Sequence, residues 1–376
     1  MAIEIREIHP NKKDLKHFVK FPINLYKGNP YFVPPLIIDE INTLTPDKNP
    51  AFEFCESIYF MAYRDGVAVG RIAGIINNVV NEKKGTNEAR FGFVDFIDDN
   101  EVSKALFDAV ESWAKKKGKD LLVGPLGFSD MDPEGMLIEG FDKIGTMATI
   151  YNFPYYPQHI ANLGFEKEVD WMEYLLNVPQ EIPEKHQRIS DIIRTKYEVR
   201  SIKYTSSKKI VKDYGQAIFE LINEAYAELY GYSPLSPRQI DQYIKTYIPI
   251  LRLENIAMIV DKNDALIGVG IAIPSMSKAL QKCRGKFFPF GWYYLLKALK
   301  AHNDVIDLLL VAVKPEYQNK GVSALIFADL IPIVRDNKVK VAESNPELEL
   351  NQKVQLQWQY FDTTQHKRRR AFKKSL

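Results

Sequence analysis

Two cysteines in 376 residues, Cys55 and Cys283, are too few for a disulfide framework, and neither has the close second cysteine of a four-ligand zinc site. A reducing, cytoplasmic location is the expectation. No apolar run approaches the roughly 18 residues that a membrane-spanning helix needs. Met1-Ala2-Ile3-Glu4-Ile5-Arg6 also lacks the positive stretch and apolar core of a signal peptide, so the chain is expected to be soluble and unexported. The six histidines, His9, His17, His159, His186, His302 and His366, are scattered without ligand spacing, which leaves no metal site and no Ser-His-Asp site to expect. A Walker phosphate loop is absent as well, because no Gly-Lys-Ser/Thr follows an earlier glycine at the right distance.

What is present is an ordinary globular composition, 46% apolar and 26% charged, which excludes long disorder. At about 150 residues per domain the length predicts two domains. The net charge of +2 conceals an asymmetry: Lys367, Arg368, Arg369, Arg370, Lys373 and Lys374 crowd the last ten residues, so the rest of the chain is net acidic. Such a tail can serve nucleic acid or anionic ligands.

Residues 1–50, rich in Pro, Asn and aromatics, read as turns and short helices that wrap a domain. Ile58–Tyr63 and Val67–Asn77 form a predicted hairpin across Arg64-Asp65-Gly66. A strand at Ala89–Phe96, a helix at Glu101–Lys117 and strands at Leu121–Val123 and Glu168–Leu176 follow. The polar stretch Glu181–Lys196 reads as a linker. The same order then recurs: strand Tyr197–Lys203, helix Ile210–Leu229, hairpin Ile256–Val260 with Ala265–Ile273, strand Val305–Val313, a helix from Val322 that Pro332 should kink or end early, and strand Val339–Ala342. These elements predict two domains of one mixed α/β (α+β) type, each a largely antiparallel sheet flanked by helices, at residues 1–178 and 197–376 with a linker at 179–196.

The most informative stretch runs from Asp307 to Ile326. A buried strand enters the polar loop Lys314-Pro315-Glu316-Tyr317-Gln318-Asn319-Lys320-Gly321, which opens a helix at Val322-Ser323. Unpaired amides at a helix start converge on one point, where an anion is stabilised. Gly321 would let a ligand approach the backbone, Ser323 is small, and Lys320 adds positive charge. An ordinary strand–turn–helix connection has the same appearance.

Gln318-Asn319-Lys320-Gly321-Val322-Ser323 resembles the Gln/Arg-x-x-Gly-x-Gly/Ala cofactor loop of the GNAT N-acyltransferase superfamily, with Ser in the last small position. Tyr155-Tyr156-Pro157 through Asn162-Leu163-Gly164-Phe165 is similar to that superfamily's helix ending in Leu-Gly-Phe. The NPYFVPP opening and the GPLGFSDMDPEGMLIEGFD segment at 124–142 are similar to tandem-domain bacterial GNAT proteins. This resemblance implies two tandem GNAT-like domains and transfer of an acyl group, acetyl or longer, from a coenzyme A thioester to the amine of a small molecule or peptide.

By the same resemblance, the amides of Gln318, Asn319, Lys320, Gly321, Val322 and Ser323 would hold the pyrophosphate. Val311, Ala312 and Val313 would lie along the pantetheine, and Asn351 would approach it from the last helix. The chemistry needs a base, for which Glu343 and Asp307 are the candidates, an oxyanion donor, for which the amide of Val311 is the candidate, and an acid for the thiolate. The superfamily's usual tyrosine acid falls on Trp358 here, leaving Tyr360 as a weak substitute.

In the first half, Ile97-Asp98-Asp99-Asn100-Glu101 stands where a cofactor loop would, and its acids should repel a pyrophosphate. The acids of segment 124–145 do not follow a calcium loop and fit acceptor binding or interdomain packing. Tyr226, Tyr230, Tyr232 and the Pro234–Pro237 loop follow the long helix, where the resemblance implies an acceptor pocket; ordinary aromatic packing is the alternative reading. The aromatic and lysine-rich stretch Lys282–Lys300 reads as an insertion packed on its own domain, with an amphipathic lipid- or partner-binding helix as the alternative. Residues 366–373 are expected to form a final strand, with Arg368 and Arg370 on one face and Lys367 and Arg369 on the other. The rival functions are a tRNA-dependent aminoacyltransferase of the same tandem fold, which a basic tail would suit, and a non-catalytic scaffold or sensor.

Overall fold

The computed structural model describes residues 2–300 and 303–376, so His302 lies outside it. The chain begins with strand β1 (Glu4–Glu7), helices α1 (Lys12–Leu25) and α2 (Ile37–Thr43), and the hairpin β2 (Cys55–Arg64) with β3 (Val67–Asn77). Helix α3 (Asn78–Lys84), β4 (Glu88–Phe96), α4 (Asn100–Lys116), β5 (Leu121–Gly124), β6 (Met136–Glu139), α5 (Tyr156–Asn162) and β7 (Glu166–Asn177) follow. Next come α6 (Glu184–Lys196), β8 (Arg200–Ile202), α7 (Ser207–Ala225), α8 (Pro237–Thr246), the hairpin β9 (Ile256–Val260) with β10 (Leu266–Pro274), α9 (Ser277–Cys283) and α10 (Gly291–Lys300). The last elements are β11 (Val305–Val313), α11 (Val322–Asp336), β12 (Val341–Ser344), β13 (Glu347–Leu348), α12 (Gln352–Trp358) and β14 (Thr363–Ser375).

Two compact units result. One holds Met1–Met172, Met276–Leu295 and His366–Leu376; the other holds Glu173–Ser275 and Leu296–Gln365. This division differs from one at 1–178 and 197–376, and strand connectivity is the reason. In the first unit the strand order is β1-β2-β3-β4-β5-β14, and in the second it is β8-β9-β10-β11-β12-β7. Both sheets are antiparallel apart from one parallel pair each, β4 with β5 and β11 with β12. The strand that ends each sequence repeat therefore completes the sheet of the other repeat: Leu175–Asn177 pairs with β12, and Phe372–Ser375 pairs with β5.

In the first unit Leu15, Phe18 and Val19 of α1 are fully buried, so the N-terminal residues do wrap the domain. The basic tail is an ordered strand. Lys367 and Arg369 point inward, each 1% exposed, while Arg368 and Arg370 reach the buried carboxylate of Asp170 at 2.8 and 2.7 Å. The predicted alternation holds, but the sheet joined is that of the first unit. Residues 276–295 also pack there: Ser277 Oγ donates to the Gly145 carbonyl at 2.9 Å, and Gln281 Nε2 to the Pro30 carbonyl at 2.8 Å. The insertion is therefore not packed on the unit whose strands flank it in sequence.

In the second unit the expected linker is the amphipathic helix α6, whose Ile189 and Ile193 pack on Val322, Leu325 and Ile326 of α11. Pro332 lies inside α11, which continues to Asp336. Gly268 and Gly270 allow that helix to lie close on β10, since a Cβ at either would come within 2.8 Å of Val322 or 2.4 Å of Ile326.

Candidate active site

The site is built where β11 and β12 part. Their parallel register covers Val305–Leu308 against Val341–Ser344 and stops there. Asn345 bridges the start of the gap, its amide donating to the Leu308 carbonyl at 3.2 Å and its side chain to that of Leu309 at 2.6 Å. On the other side of β11 a register shift between Ile271 and Ala272 leaves Leu309 bulged, which bends the strand. Tyr226 Oη donates to the Val311 carbonyl at 3.2 Å, and Gln318 Nε2 to the Val313 carbonyl at 3.1 Å. Because N–H and C=O of one strand residue point to the same side, the amide of Val311 also faces the gap.

Beyond β11, Asn319 and Gly321 both take positive φ, 62° and 89°, and turn the chain into α11. Among the described residues, the amides of Asn319, Gly321, Val322 and Ser323 have no protein acceptor, whereas those of Gln318 and Lys320 bond within the loop. Four free amides at the start of a fifteen-residue helix make an anion nest. Lys320 Nζ lies over the rings of Tyr197 and Tyr317, at 5.3 and 5.2 Å. The role expected of Gly321 changes, however. A Cβ there would meet Ile189 of α6 at 2.5 Å, so the glycine serves helix packing as well as the loop's positive φ.

Alternation along the strands sorts the remaining candidates. Gly270 pairs with Val311 and faces α11, so Ile273, on the opposite face with Val269 and Ile271, places its partner Asp307 on the α7 side. Glu343 is the register partner of Asp307 and lies beside it, and both are buried. Asn351 stands at the start of α12 and its side chain caps no amide. Tyr360 is not brought to this group. Its ring and hydroxyl contact Lys185, and it packs on His186, whose ring meets Phe327 of α11, the other face of the sheet.

Sequence reasoning missed Glu347. Both its carboxylate oxygens accept the Trp358 indole N–H at 2.9 Å, beside the Ser344 hydroxyl at the end of β12. Burial pushes its pKa up to about 7, against the lowering effect of those two donors. The signal that could have found it is Trp358 itself, an indole where the resembling fold carries a phenol. A carboxyl with a raised folded pKa stabilises the fold below its unfolded value near 4 and loses that contribution as pH rises through 7. Glu347→Gln is therefore expected to raise stability above pH 7 by up to about 3 kcal/mol, with little change near pH 4. Thermal melts across pH check this.

The concavities of about 140 and 370 Å³ in this unit lie elsewhere, around Arg252 and Asn303 and around Tyr204 and Lys209. In the first unit the equivalent helix start is closed. Asp99 caps α4 by accepting the amides of Glu101 at 2.9 Å and Val102 at 3.4 Å, and Arg64 pairs with Asp99 at 2.8 Å. The gap beside β4 is filled as well, since Leu126 donates to the Phe91 carbonyl at 2.9 Å and its own carbonyl lies 2.3 Å from where a Gly92 Cβ would be. Asp132 in that segment accepts the amides of Phe128 and Ser129, and burial raises its pKa to about 6.

A splayed parallel pair followed by an amide nest, on a mixed sheet present twice, defines a tandem GNAT fold. The solved structure of a tandem GNAT protein from the clavulanic acid biosynthesis pathway superposes with a TM-score of 0.56 at 12% identity, covering 100% of this chain and 98% of that one. No family model matches the chain. Protein YghO of Escherichia coli (strain K12) is 28% identical over 375 residues, 97% of this chain and 94% of that protein. A bacterial ceramide synthase of Caulobacter vibrioides (strain NA1000 / CB15N) is 27% identical over 308 residues, 81% and 79% of the two chains.

Proposed function

We propose that the second unit transfers an acyl group from an acyl-coenzyme A thioester to an amine. The observation that carries this is the run from the part of β11 that β12 leaves unpaired, where only side chains reach its carbonyls on that side, to the free amides at Gly321–Ser323. The edge would receive the amide-bearing pantetheine arm as an added strand, and the nest would receive the pyrophosphate. The amine nitrogen attacks the thioester carbon, and the Val311 amide donates to the oxygen as it becomes an anion. That attack forms the C–N bond, and collapse of the tetrahedral intermediate restores the carbonyl and breaks the C–S bond, releasing the thiolate. The amine's proton passes to Glu343, beside Asp307, directly or through water, and the departing thiolate takes a proton in turn.

The acceptor class that the comparisons favour is a long-chain amine. A ceramide is an N-acylated amino alcohol, so the relative named for making one is named for forming an amide of this kind. The first unit, with its nest capped by Asp99, binds no coenzyme A in this reading.

Ser323→Glu tests the nest. A carboxylate in the first turn of α11 suits the helix dipole and leaves folding intact, but it meets a pyrophosphate with like charge. Coenzyme A affinity is expected to fall roughly a hundredfold, about 3 kcal/mol. Unchanged affinity by calorimetry in a variant with the wild-type melt would refute the assignment. Gly321→Glu serves less well, because it also disturbs Ile189.

A further inference from the structure

Between Asp264 and Asp304 the chain carries no acidic residue, yet it holds Lys278, Lys282, Arg284, Lys286, Lys297 and Lys300. The same stretch exposes five large rings close together in sequence: Phe288 is 72% exposed, Phe290 67% and Tyr293 52%, with Phe287 and Trp292 also exposed. These rings are held outward by a fixed base. The Ile37 amide bonds the Gly285 carbonyl at 2.9 Å, and Ser277 and Gln281 are tied to Gly145, Pro30 and Phe32. The turn at 286–291 is fixed from within, by the Trp292 amide on the Phe287 carbonyl and the Trp292 indole N–H on the Pro289 carbonyl, both at 2.9 Å. Tip residues displayed in this way cost apolar exposure that a solvent-facing loop would avoid.

We propose that the 286–293 turn and the start of α10 dock on an anionic lipid bilayer surface. Exposed aromatic rings on a stretch that carries six cations and no acid match the apolar–polar boundary of a membrane under a negative surface potential. The run of cations without an acid from Ala265 to Asn303 favours an anionic lipid surface as the occupant. Binding is reversible and peripheral, since no helix among the described residues is long and apolar enough to cross a membrane. This inference does not depend on the acyl-transfer reading, and its test uses no turnover.

Full-length protein is mixed with vesicles of phosphatidylcholine, with and without phosphatidylglycerol, and flotation and tryptophan emission are recorded. Of the four tryptophans, Trp292 is 41% exposed, Trp113 is part-buried in the first unit's core and Trp171 and Trp358 are buried, so a blue shift that Trp292→Phe abolishes reports on the tip. The expected result is binding to the anionic vesicles that weakens with salt. Phe288→Ser/Phe290→Ser should reduce partitioning at least about tenfold, and Lys282→Glu/Lys286→Glu should remove the preference for phosphatidylglycerol. All four positions are exposed, and an unchanged thermal melt verifies folding. The proposal is overturned by absence of binding, by binding that these substitutions leave intact, or by self-association that Phe288→Ser/Phe290→Ser abolishes, which would make the tip a contact between two copies.

Discussion

Deleting residues 366–376 is expected to unfold the first unit, although the deletion lies at the opposite end of the chain from most of it. The segment supplies the strand beside β5 and β6, buries Ala371 and Phe372, and brings Arg368 and Arg370 to Asp170. Losing a buried phenylalanine costs about 3–5 kcal/mol, and leaving a buried carboxylate without its arginines costs about as much again. Together these reach the 5–15 kcal/mol, roughly, that holds a whole domain folded. Circular dichroism and limited proteolysis should report a chain cleaved throughout Met1–Met172. A truncated protein with the parent's melt and protease resistance would show the tail to be an appended arm.

The Asp170 contribution can be isolated by pH. Burial alone would raise its pKa, but the hydrogen bond and charge of Arg370, with Lys167 and Arg368, hold it below the ordinary carboxylate value. Its stabilisation is therefore present above an unfolded value near 4 and is lost as pH falls through the lower folded value. In Asp170→Asn that acid-side loss should disappear from a protein that is already weaker at neutral pH.

The second large effect is catalytic. Glu343→Gln should lower kcat roughly 10²–10⁴-fold, the range for loss of a general base, while coenzyme A affinity stays near that of the parent. Glutamine keeps the size of the side chain and removes the proton-accepting charge, so the fold at β12 should survive. Turnover equal to the parent across pH would transfer the role to Asp307 beside it.

The elements of both units were legible because hairpins, buried strands and amphipathic helices announce themselves by local periodicity. Arg64-Asp65-Gly66 marks a turn, and Val305–Val313 is apolar enough to read as a strand, although Leu308–Val311 are only half-buried where β12 parts from it. The loop at 318–323 was legible as a short motif, and the Asp99 cap was foreshadowed by the acids at 97–101. What was not legible is long-range. Nothing local to Phe372 states which of two similar sheets it joins, so the exchange of last strands and the placement of 276–295 could not be read from either segment alone. Glu347 was hidden because its pKa is a property of burial beside Trp358. The roles of Gly321 and Tyr360 needed Ile189 and Lys185, which belong to a helix that looked like a linker.

The central claim is that an acyl thioester bound along β11 and the Gly321–Ser323 nest is consumed by an amine. The most direct measurement is mass spectrometry of the product, with free thiol release followed in parallel, when the full chain is supplied with acetyl- or long-chain acyl-coenzyme A and a set of primary amines that includes long-chain amino alcohols. The account predicts an amide formed in equal amount to released coenzyme A, suppressed in both Glu343→Gln and Ser323→Glu. Thiol release and amide formation that persist undiminished in Ser323→Glu, or a parent protein that binds no coenzyme A at all, would contradict it.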